Sequence, residues 1–503
     1  MKQTAKRILV IGVCVLLQII TTISILLYFS GQYAVIQILN EVLSIIIILA
    51  IIKNSKNLST KIPWIILILM FPILGGTLYI IIGHNLYKSK ILKEISKSIE
   101  KSKQYLKQEK KVLKEIEEKD LNIYGQVKYI SQTAGYPIYK NSKVKYFCSG
   151  EEGYKLIIDE LKKAKKFIFM EYFIIAEGRM WGEILNILEE KVRQGVDVRI
   201  IYDDIGCVGT LPKNYDKYLE KKGIKCVCFN RLKLILSVVM NNRDHRKIMV
   251  IDGEVSFSGG INIADEYINE KSRYGYWKDN LVMIKGEATW NFTVMFLEIW
   301  NAYRKENNDY KIFRPNFQYE KKDGYVCPYG ENPIDNETVG ENIYLNIINQ
   351  AKRYVYIFTP YLIIDNEMIS ALTLASKRGV DIRIVTPGIP DKKIVFYLTR
   401  SYYKMLIDSG VKIYEYTPGF IHGKVFVCDD EIATVGSLNL DYRSLYLHFE
   451  CGVYMYKTDN IIDIKEDITK AISVSHNIEK EDCISGIFKS LFQAILRIFA
   501  PLM

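Results

Sequence analysis

The sequence predicts an α/β protein of two pseudo-symmetric lobes, each a sheet flanked by helices, behind an N-terminal transmembrane region. Three observations predict it. A phrase, His-X-Lys, four residues, Asp, six residues, Gly-(Gly/Ser)-X-Asn, occurs twice with every interval equal. The first copy is His245, Lys247, Asp252, Gly259, Gly260, Asn262, and the second is His422, Lys424, Asp429, Gly436, Ser437, Asn439. The strand and helix patterns around the two copies repeat as well, which is the mark of an internally duplicated fold. Finally, three long apolar segments are crowded ahead of everything else. A chain of 503 residues, 49% hydrophobic, has material for more than one core.

From the N-terminus, residues 1–85 read as the membrane region. Residues 8–29 carry no charge and as a helix would extend about 33 Å, enough for a hydrocarbon core of about 30 Å. Residues 38–52 hold only Glu41, and residues 64–83 hold no charge but contain Pro72, Gly75 and Gly76, which kink a spanning helix or mark a re-entrant one. Buried core helices are the alternative, and the length and clustering of the segments argue against it. Residues 86–124 turn lysine-rich, with Leu92, Ile95, Ile99, Leu106, Leu113 and Ile116 near helical spacing. This predicts a charged linker helix, either along the membrane, where its lysines attract anionic headgroups, or solvated.

The first lobe is expected over 125–317 and the second over 318–485, with the junction between Pro315 and Pro333. Phe167 to Ile175 parallels Val355 to Ile364, and Arg193 to Ile201 parallels Lys377 to Val385. In each of the latter pair a Gly-Val-Asp triplet closes a helix and opens a strand. The tail, 486–503, gathers Ile487, Phe488, Leu491, Phe492, Ile495, Leu496 and Phe499 on one face, with Lys489 and Arg497 on the other. It is too short and too charged to span, so it reads as an interfacial amphipathic helix or one packed on a lobe.

The duplicated phrase carries the chemistry. Two of the five histidines lie in it. Lys247 to Asp252 and Lys424 to Asp429 are short apolar runs of strand length, and residues two apart on a strand share a face. Two such copies facing each other would assemble two imidazoles, two ammonium groups and two amides. That set suits a phosphodiester: one neutral His attacks phosphorus, and a protonated one donates to the leaving oxygen. Lys247, Lys424, Asn262 and Asn439 would stabilise charge on the non-bridging oxygens. Each imidazole needs a carboxylate to fix its tautomer. Asp279, 34 residues after His245, and Glu450, 28 after His422, are the candidate orienters. Asp252 and Asp429 belong to the repeated set, but their odd step along the strand argues for structure. No metal is expected, because a lysine beside each His repels a divalent cation. The spacing of Cys226 and Cys228 is also too tight for a usual zinc pair.

These residues resemble the phospholipase D superfamily, whose double His-Lys-Asp signature both copies match at every position. Thr359-Pro-Tyr361, Pro390-Asp-Lys-Lys393, Arg400-Ser-Tyr-Tyr403, Glu171-Tyr-Phe173, Gly436 to Ser444 and Phe449-Glu450 look like bacterial cardiolipin synthases, and the likeness covers nearly the whole chain. It implies a membrane-bound phosphatidyltransferase without cofactor. One phosphatidylglycerol forms a phosphatidyl-histidine and releases glycerol, and a second takes the phosphatidyl group to give cardiolipin. It further implies His245 as nucleophile and His422 as general acid, then base. The spacing alone does not separate those roles. The alternative is a phospholipase D that hands the intermediate to water, or that transphosphatidylates other phospholipids. His448, two residues before Glu450, departs from the non-ionisable polar residue expected there, and could perturb that carboxylate.

A net charge of +11 suits nucleic acid or anionic lipid alike. The absence of an aromatic-and-basic nucleic-acid module, together with the apolar segments, argues against a nuclease and for phosphatidylglycerol and anionic membrane lipid as partners. Nine cysteines without a disulfide framework fit a reducing compartment. The lysines around the first two segments and after residue 84 place the lobes on the cytoplasmic face of the plasma membrane if the third segment is re-entrant.

Overall fold

The computed structural model describes residues 33–53, 59–79, 90–232, 241–306, 308–316, 324–335, 337–484 and 486–502. The chain divides into two compact units. One comprises 1–89, 232–242 and 494–503, and the other 90–231 and 243–493.

In the first unit, the apolar run around residues 38–52 lies within the helix Tyr33–Lys53. Val35, Ile38, Leu39, Val42, Leu43, Ile45, Ile46, Leu49 and Ile52 on it are exposed. The third apolar run is not one helix. It breaks at Phe71 into Ile62–Met70 and Pro72–Leu78. A residue before proline is pushed out of the helical region by the ring, and Phe71 accordingly sits at φ −138°, ψ 78°. Gly75 then packs on backbone, where a Cβ would lie 2.6 Å from the Leu67 carbonyl oxygen. Among the described residues no helix is long and apolar enough to cross a membrane. Residues 8–29 and 80–83 lie outside the described residues, so the multi-pass reading rests on the sequence.

The second unit holds two sheets of one design. The first consists of β1 (Ser142–Phe147), β2 (Phe167–Tyr172), β3 (Asp197–Asp203), β4 (Lys225–Phe229), β5 (Lys247–Ile251), β6 (Val255–Gly259) and β8 (Leu281–Gly286), with the short β7 (Tyr276–Lys278) outside it. Its order is β1-β8-β6-β5-β2-β3-β4. The second is drawn from β9 (Tyr325–Glu331), β10 (Tyr354–Phe358), β12 (Asp381–Pro387), β13 (Lys412–Tyr416), β15 (Val425–Cys428), β16 (Ile432–Gly436), β18 (Glu450–Tyr456) and β19 (Ser475–Asn477). The short β11 (Leu362–Ile363), β14 (Gly419–Ile421) and β17 (Leu440–Asp441) stand apart from it. Read from β9, its order is β9-β18-β16-β15-β10-β12-β13, with β19 added at the end. Strand for strand, this is the first sheet again. In both, the strand of the duplicated phrase (β5 or β15) runs antiparallel between the central parallel strand (β2 or β10) and the next hairpin strand.

The sheets are sealed by apolar side chains. β2, β5 and β10 are buried at every position, as expected of strands covered on both faces. The lysine-rich linker forms the helices Lys90–Ser102 and Lys110–Lys119. Its apolar stripe is spent on the protein, since Leu92, Ile95, Leu113 and Ile116 are buried. The first helix lies on the helix Thr289–Arg304 behind the first sheet. There Ser102 bonds Glu298, and Trp290 Nε1 donates to the Tyr105 carbonyl at 2.9 Å. This part of the linker is an element of the lobe, not a free solvated helix. The tail forms the helix Ile487–Phe499, on which Ile487, Phe488, Leu491, Phe492, Ile495 and Phe499 are exposed.

Candidate active site

Each histidine of the repeated phrase stands just before its strand, and backbone hydrogen bonds tie it to the other lobe. The His245 amide donates to the Phe449 carbonyl at 2.8 Å, and the Phe449 amide donates to the Arg243 carbonyl at 2.8 Å. In the other half, β14 runs parallel to β7, with Ile421 opposite Lys278, and the His422 amide donates to the Lys278 carbonyl at 2.8 Å. The residue following each of those carbonyl partners is a carboxylate, Glu450 in one case and Asp279 in the other. The lobes are therefore stitched together at the two points where the ionisable residues lie.

The stitching crosses the pairing. His245 Nδ1 lies 2.8 and 2.9 Å from the two oxygens of Glu450, and His422 Nδ1 lies 2.7 Å from Asp279 Oδ2. Each carboxylate thus serves the histidine of the opposite lobe, a partnership that order along the chain does not suggest. Both carboxylates are wholly buried, while the imidazoles keep 11% and 10% of their side-chain surface, so the rings can be reached and their partners cannot. Glycine makes room on one side: a Cβ on Gly260 would stand 2.0 Å from Asp279 Oδ1. At the matching place in the second copy, the Ser437 hydroxyl instead bonds the Cys451 backbone, accepting from its N–H at 2.9 Å.

Both lysines come to the same centre. Lys247 Nζ donates to the His245 carbonyl at 2.6 Å, and Lys424 bonds the His422 carbonyl in the same way. Burial lowers the ammonium of Lys247 to about 8 against the pull of Glu450, and that of Lys424 to about 7 against the pull of Asp279. Burial, then the neighbouring lysine charges, hold His245 well below the ordinary imidazole value and bring His422 to about 4. Asp279 stays below the usual carboxylate range because His422 and Lys424 outweigh its burial. Burial and the lysine charges thus favour the neutral form of both imidazoles. An ionised carboxylate on Nδ1 fixes that proton and leaves the Nε2 lone pair free.

The remaining members of the phrase divide. Asn262 is committed to scaffolding: its Oδ1 accepts from the Ile174 amide at 3.1 Å and its Nδ2 donates to Tyr267 at 2.7 Å. Asn439 contacts Asp441 at 3.3 Å through Nδ2, and its buried Oδ1 has no partner among the described residues. Asp252 and Asp429 do not join the centre. Each caps the far end of its strand in a left-handed conformation, φ 54°. Asp252 accepts from the amides of Lys165, Lys166 and Phe167 at 2.7–2.9 Å, and Asp429 from those of Lys352, Arg353 and Tyr354 over the same range. This arrangement fits the structural role that their odd step along the strand suggests, since their oxygens are occupied by backbone.

His448 lies beside the first histidine. The ring centroids of His448 and His245 are 5.6 Å apart, and His448 Nδ1 is 3.7 Å from Glu450 Oε1. Burial drives its pKa down to about 4, and neither ring nitrogen has a hydrogen-bond partner among the described residues. His245, His448 and Glu450 bring ligand atoms within 4.8 Å of one another and could enclose a cation. To do so Glu450 would have to leave His245, next to two lysines. The corresponding place beside His422 is filled by Trp277, 5.2 Å away between centroids.

Several supports had no separate signal in the sequence. Arg246, between His245 and Lys247, turns to the buried carboxylates Glu171 and Asp244. Arg243 grips the buried Asp203, with Nη2 at 2.7 Å from Oδ1. Lys278, beside Asp279, is clamped by Asp467 at 2.6 and 2.8 Å. An arginine or lysine next to a motif residue reads as surface charge until its partner is seen, as with Arg243 and Lys278, whose partners lie 40 and 189 residues away.

A family described as "Cardiolipin synthase, PLD-like domain" matches residues 157–300 and 344–472, and a phospholipase D-nuclease N-terminal family matches 42–84. An uncharacterized protein of Streptococcus mutans is 47% identical over 91% of this chain and 99% of its own length. A cardiolipin synthase of Alkalihalophilus pseudofirmus is 34% identical over 92% of each chain, and one of Halalkalibacterium halodurans is 31% identical over 90% of this chain and 91% of its own. Among solved structures, the phosphatidylserine synthase of Haemophilus influenzae shares the fold, with a TM-score of 0.53 at 16% identity over 72% of this chain and 93% of that one.

Proposed function

The chain belongs to the phospholipase D-like cardiolipin synthase family, and from that we infer that it is a membrane-associated phosphatidyltransferase making cardiolipin from two phosphatidylglycerols. The observation that carries the chemistry is the crossed pair of carboxylate–imidazole contacts, His245 with Glu450 and His422 with Asp279, beside two buried lysines. In this reading His245 Nε2 attacks the phosphorus of the first lipid, the bond to the glycerol oxygen breaks, and His422 protonates that oxygen. The lipid phosphate brings negative charge that raises the affinity of His422 for this proton and keeps Lys247 and Lys424 charged. The lysines and the Asn439 amide hold the non-bridging oxygens. In the second half a hydroxyl of another phosphatidylglycerol gives its proton to His422 and attacks phosphorus, and the bond to His245 breaks. Every charge on the reacting phosphate has a partner within the chain, so the reading needs no metal.

The membrane attachment belongs to the same proposal. The apolar segments before residue 85, the exposed apolar face of Tyr33–Lys53 and the exposed apolar residues of the tail helix support a protein inserted in the bilayer by its N-terminus and resting on it by its tail. Exposed lysines of the linker support a cytoplasmic, anionic surface as its setting. The test is direct. The full-length enzyme in vesicles of phosphatidylglycerol, with EDTA present, yields cardiolipin and glycerol in equal amounts. Phosphatidic acid as the main product would make it a hydrolase, and activity only after metal is restored would overturn the metal-free chemistry.

A further inference from the structure

Cardiolipin formation brings a second lipid phosphate to a centre that already holds one. Lys247 and Lys424 are each bonded to the carbonyl of their own histidine, and in the reading above both serve the first phosphate. The acceptor's phosphate, one glycerol bridge away, needs a cation of its own.

One is at hand on the loop before the helix Lys393–Ile407. The Ile389 amide donates at 3.2 Å to the Gly419 carbonyl in β14, the strand leading into His422, so this loop is tied to the catalytic segment. Asp391 accepts from the Tyr361 hydroxyl at 2.7 Å, which pins the loop to the strand end beside β11. There Leu362 pairs with Leu440, the neighbour of Asn439. Tyr361 in turn lies by Phe420, whose ring is 4.7 Å from Trp277 and 6.0 Å from His422. Lys392 sits over the Tyr361 ring at 5.2 Å, with Nζ 3.4 Å from its hydroxyl and 3.7 Å from Asp391, and its side chain is 63% exposed. Its charge bears on the centre: after burial, Lys247, Lys424 and His422, the positive charge of Lys392 contributes to depressing His245, and it opposes the burial that raises Asp441, the partner of Asn439. Lys392 is also the N-cap of a fifteen-residue helix with no capping side chain and no acidic residue in its first turn, so that helix end favours an anion as well.

We propose that Lys392, positioned by Tyr361, forms with the first turn of the helix Lys393–Ile407 a second anion site that takes the phosphate of the acceptor lipid and sets its glycerol hydroxyl against the phosphatidyl-histidine. The site rests on the synthase reading above and adds acceptor selection to it. As the acceptor oxygen bonds phosphorus, the P–N bond to His245 breaks and the hydroxyl proton passes to His422. Lys392 takes part in none of these steps. It is a positioning residue that favours a phosphate-bearing alcohol over a neutral one.

The experiment is an acceptor competition in mixed vesicles of phosphatidylglycerol and monoacylglycerol. Both alcohols are membrane-bound glycerol derivatives, and one carries a phosphate. Wild type is expected to favour cardiolipin over phosphatidyl-monoacylglycerol. Lys392→Gln should lower that product ratio by about tenfold, the weight of one lost charge-assisted contact, whereas Lys392→Arg retains it. Lys404→Gln, on the same helix but paired with Asp408, is the control for general surface charge. A ratio unchanged in Lys392→Gln, or lowered equally by Lys404→Gln, overturns the proposal while leaving the synthase intact. A wild type that forms no cardiolipin removes the synthase reading, and this site with it. A fall in the ratio of water-soluble glycerol phosphate to glycerol as acceptors, without the same fall for the lipids, would assign the site to free phosphate instead.

Discussion

Glu450→Gln tests the crossed site most sharply. The carboxylate is fully buried and both its oxygens lie within 2.9 Å of His245 Nδ1, so a glutamine fits the same space. With its amide N–H turned to the ring, it would donate to Nδ1, move the ring proton to Nε2 and remove the attacking lone pair. With its carbonyl turned to the ring, it would keep the tautomer but lose the charge that steadies a phosphorylated imidazole. Loss of the anion in a triad of this kind costs roughly a thousand- to ten-thousandfold, which is about 4 to 5.5 kcal/mol of barrier. A second consequence follows from Lys247, whose ammonium stands at about 8 with Glu450 raising it. Without Glu450 that ammonium loses its proton at lower pH, so the variant's activity should fall off earlier on the alkaline side. The assay is kcat/KM for cardiolipin formation across pH 5–9, with thermal unfolding of the same samples as the control for folding. Activity within tenfold of wild type in a folded Glu450→Gln protein would refute the role of Glu450 and, with it, the cross-lobe pairing.

Three further outcomes are expected. His245→Ala and His422→Ala each abolish most turnover, and the double variant is little worse because the two act as a unit; the measurement is radiolabelled lipid conversion, with substantial turnover in either single variant as the contrary result. In the wild type, kcat/KM should show a steeper alkaline limb near pH 7–8, where loss of the protons that bind phosphate from Lys424, at about 7, and Lys247, at about 8, adds to the loss of the His422 proton. The sign is that of a cation lost as pH rises, and Lys424→Arg should move the limb upward. Asp252→Ala should lower the unfolding midpoint, at a cost of about 1–3 kcal/mol for the amides it leaves unpaired, while the folded enzyme keeps kcat within a few-fold; a collapse of kcat at unchanged stability would restore Asp252 to the chemistry.

Much of this was legible in the chain. The repeated intervals locate the histidines and lysines, and a period-two strand puts members of each pair on one face, which is a local property of backbone geometry. The same locality explains the assignment of Asp252 and Asp429 to structure, since an odd step along a strand turns a side chain away. Glu450 and Asp279 were recognisable as partners, being carboxylates near the motifs. The linker's apolar stripe was visible too, but not its use, because a stripe has the same period whether it meets lipid, water or protein. Only the fold shows it spent on the lobe.

What the sequence determined by itself is the chemistry: two imidazoles and two ammonium groups, with apolar segments ahead of the lobes, all encoded in residue type and spacing. What only the tertiary structure decided is who serves whom. His245 meets a carboxylate 205 residues away and His422 one 143 residues away, because short backbone bridges join each histidine segment to the other lobe. It also decided that the two halves are unequal, with His448 flanking one histidine and Trp277 the other. Spacing along a chain records local geometry, whereas contacts between lobes depend on how two finished sheets dock.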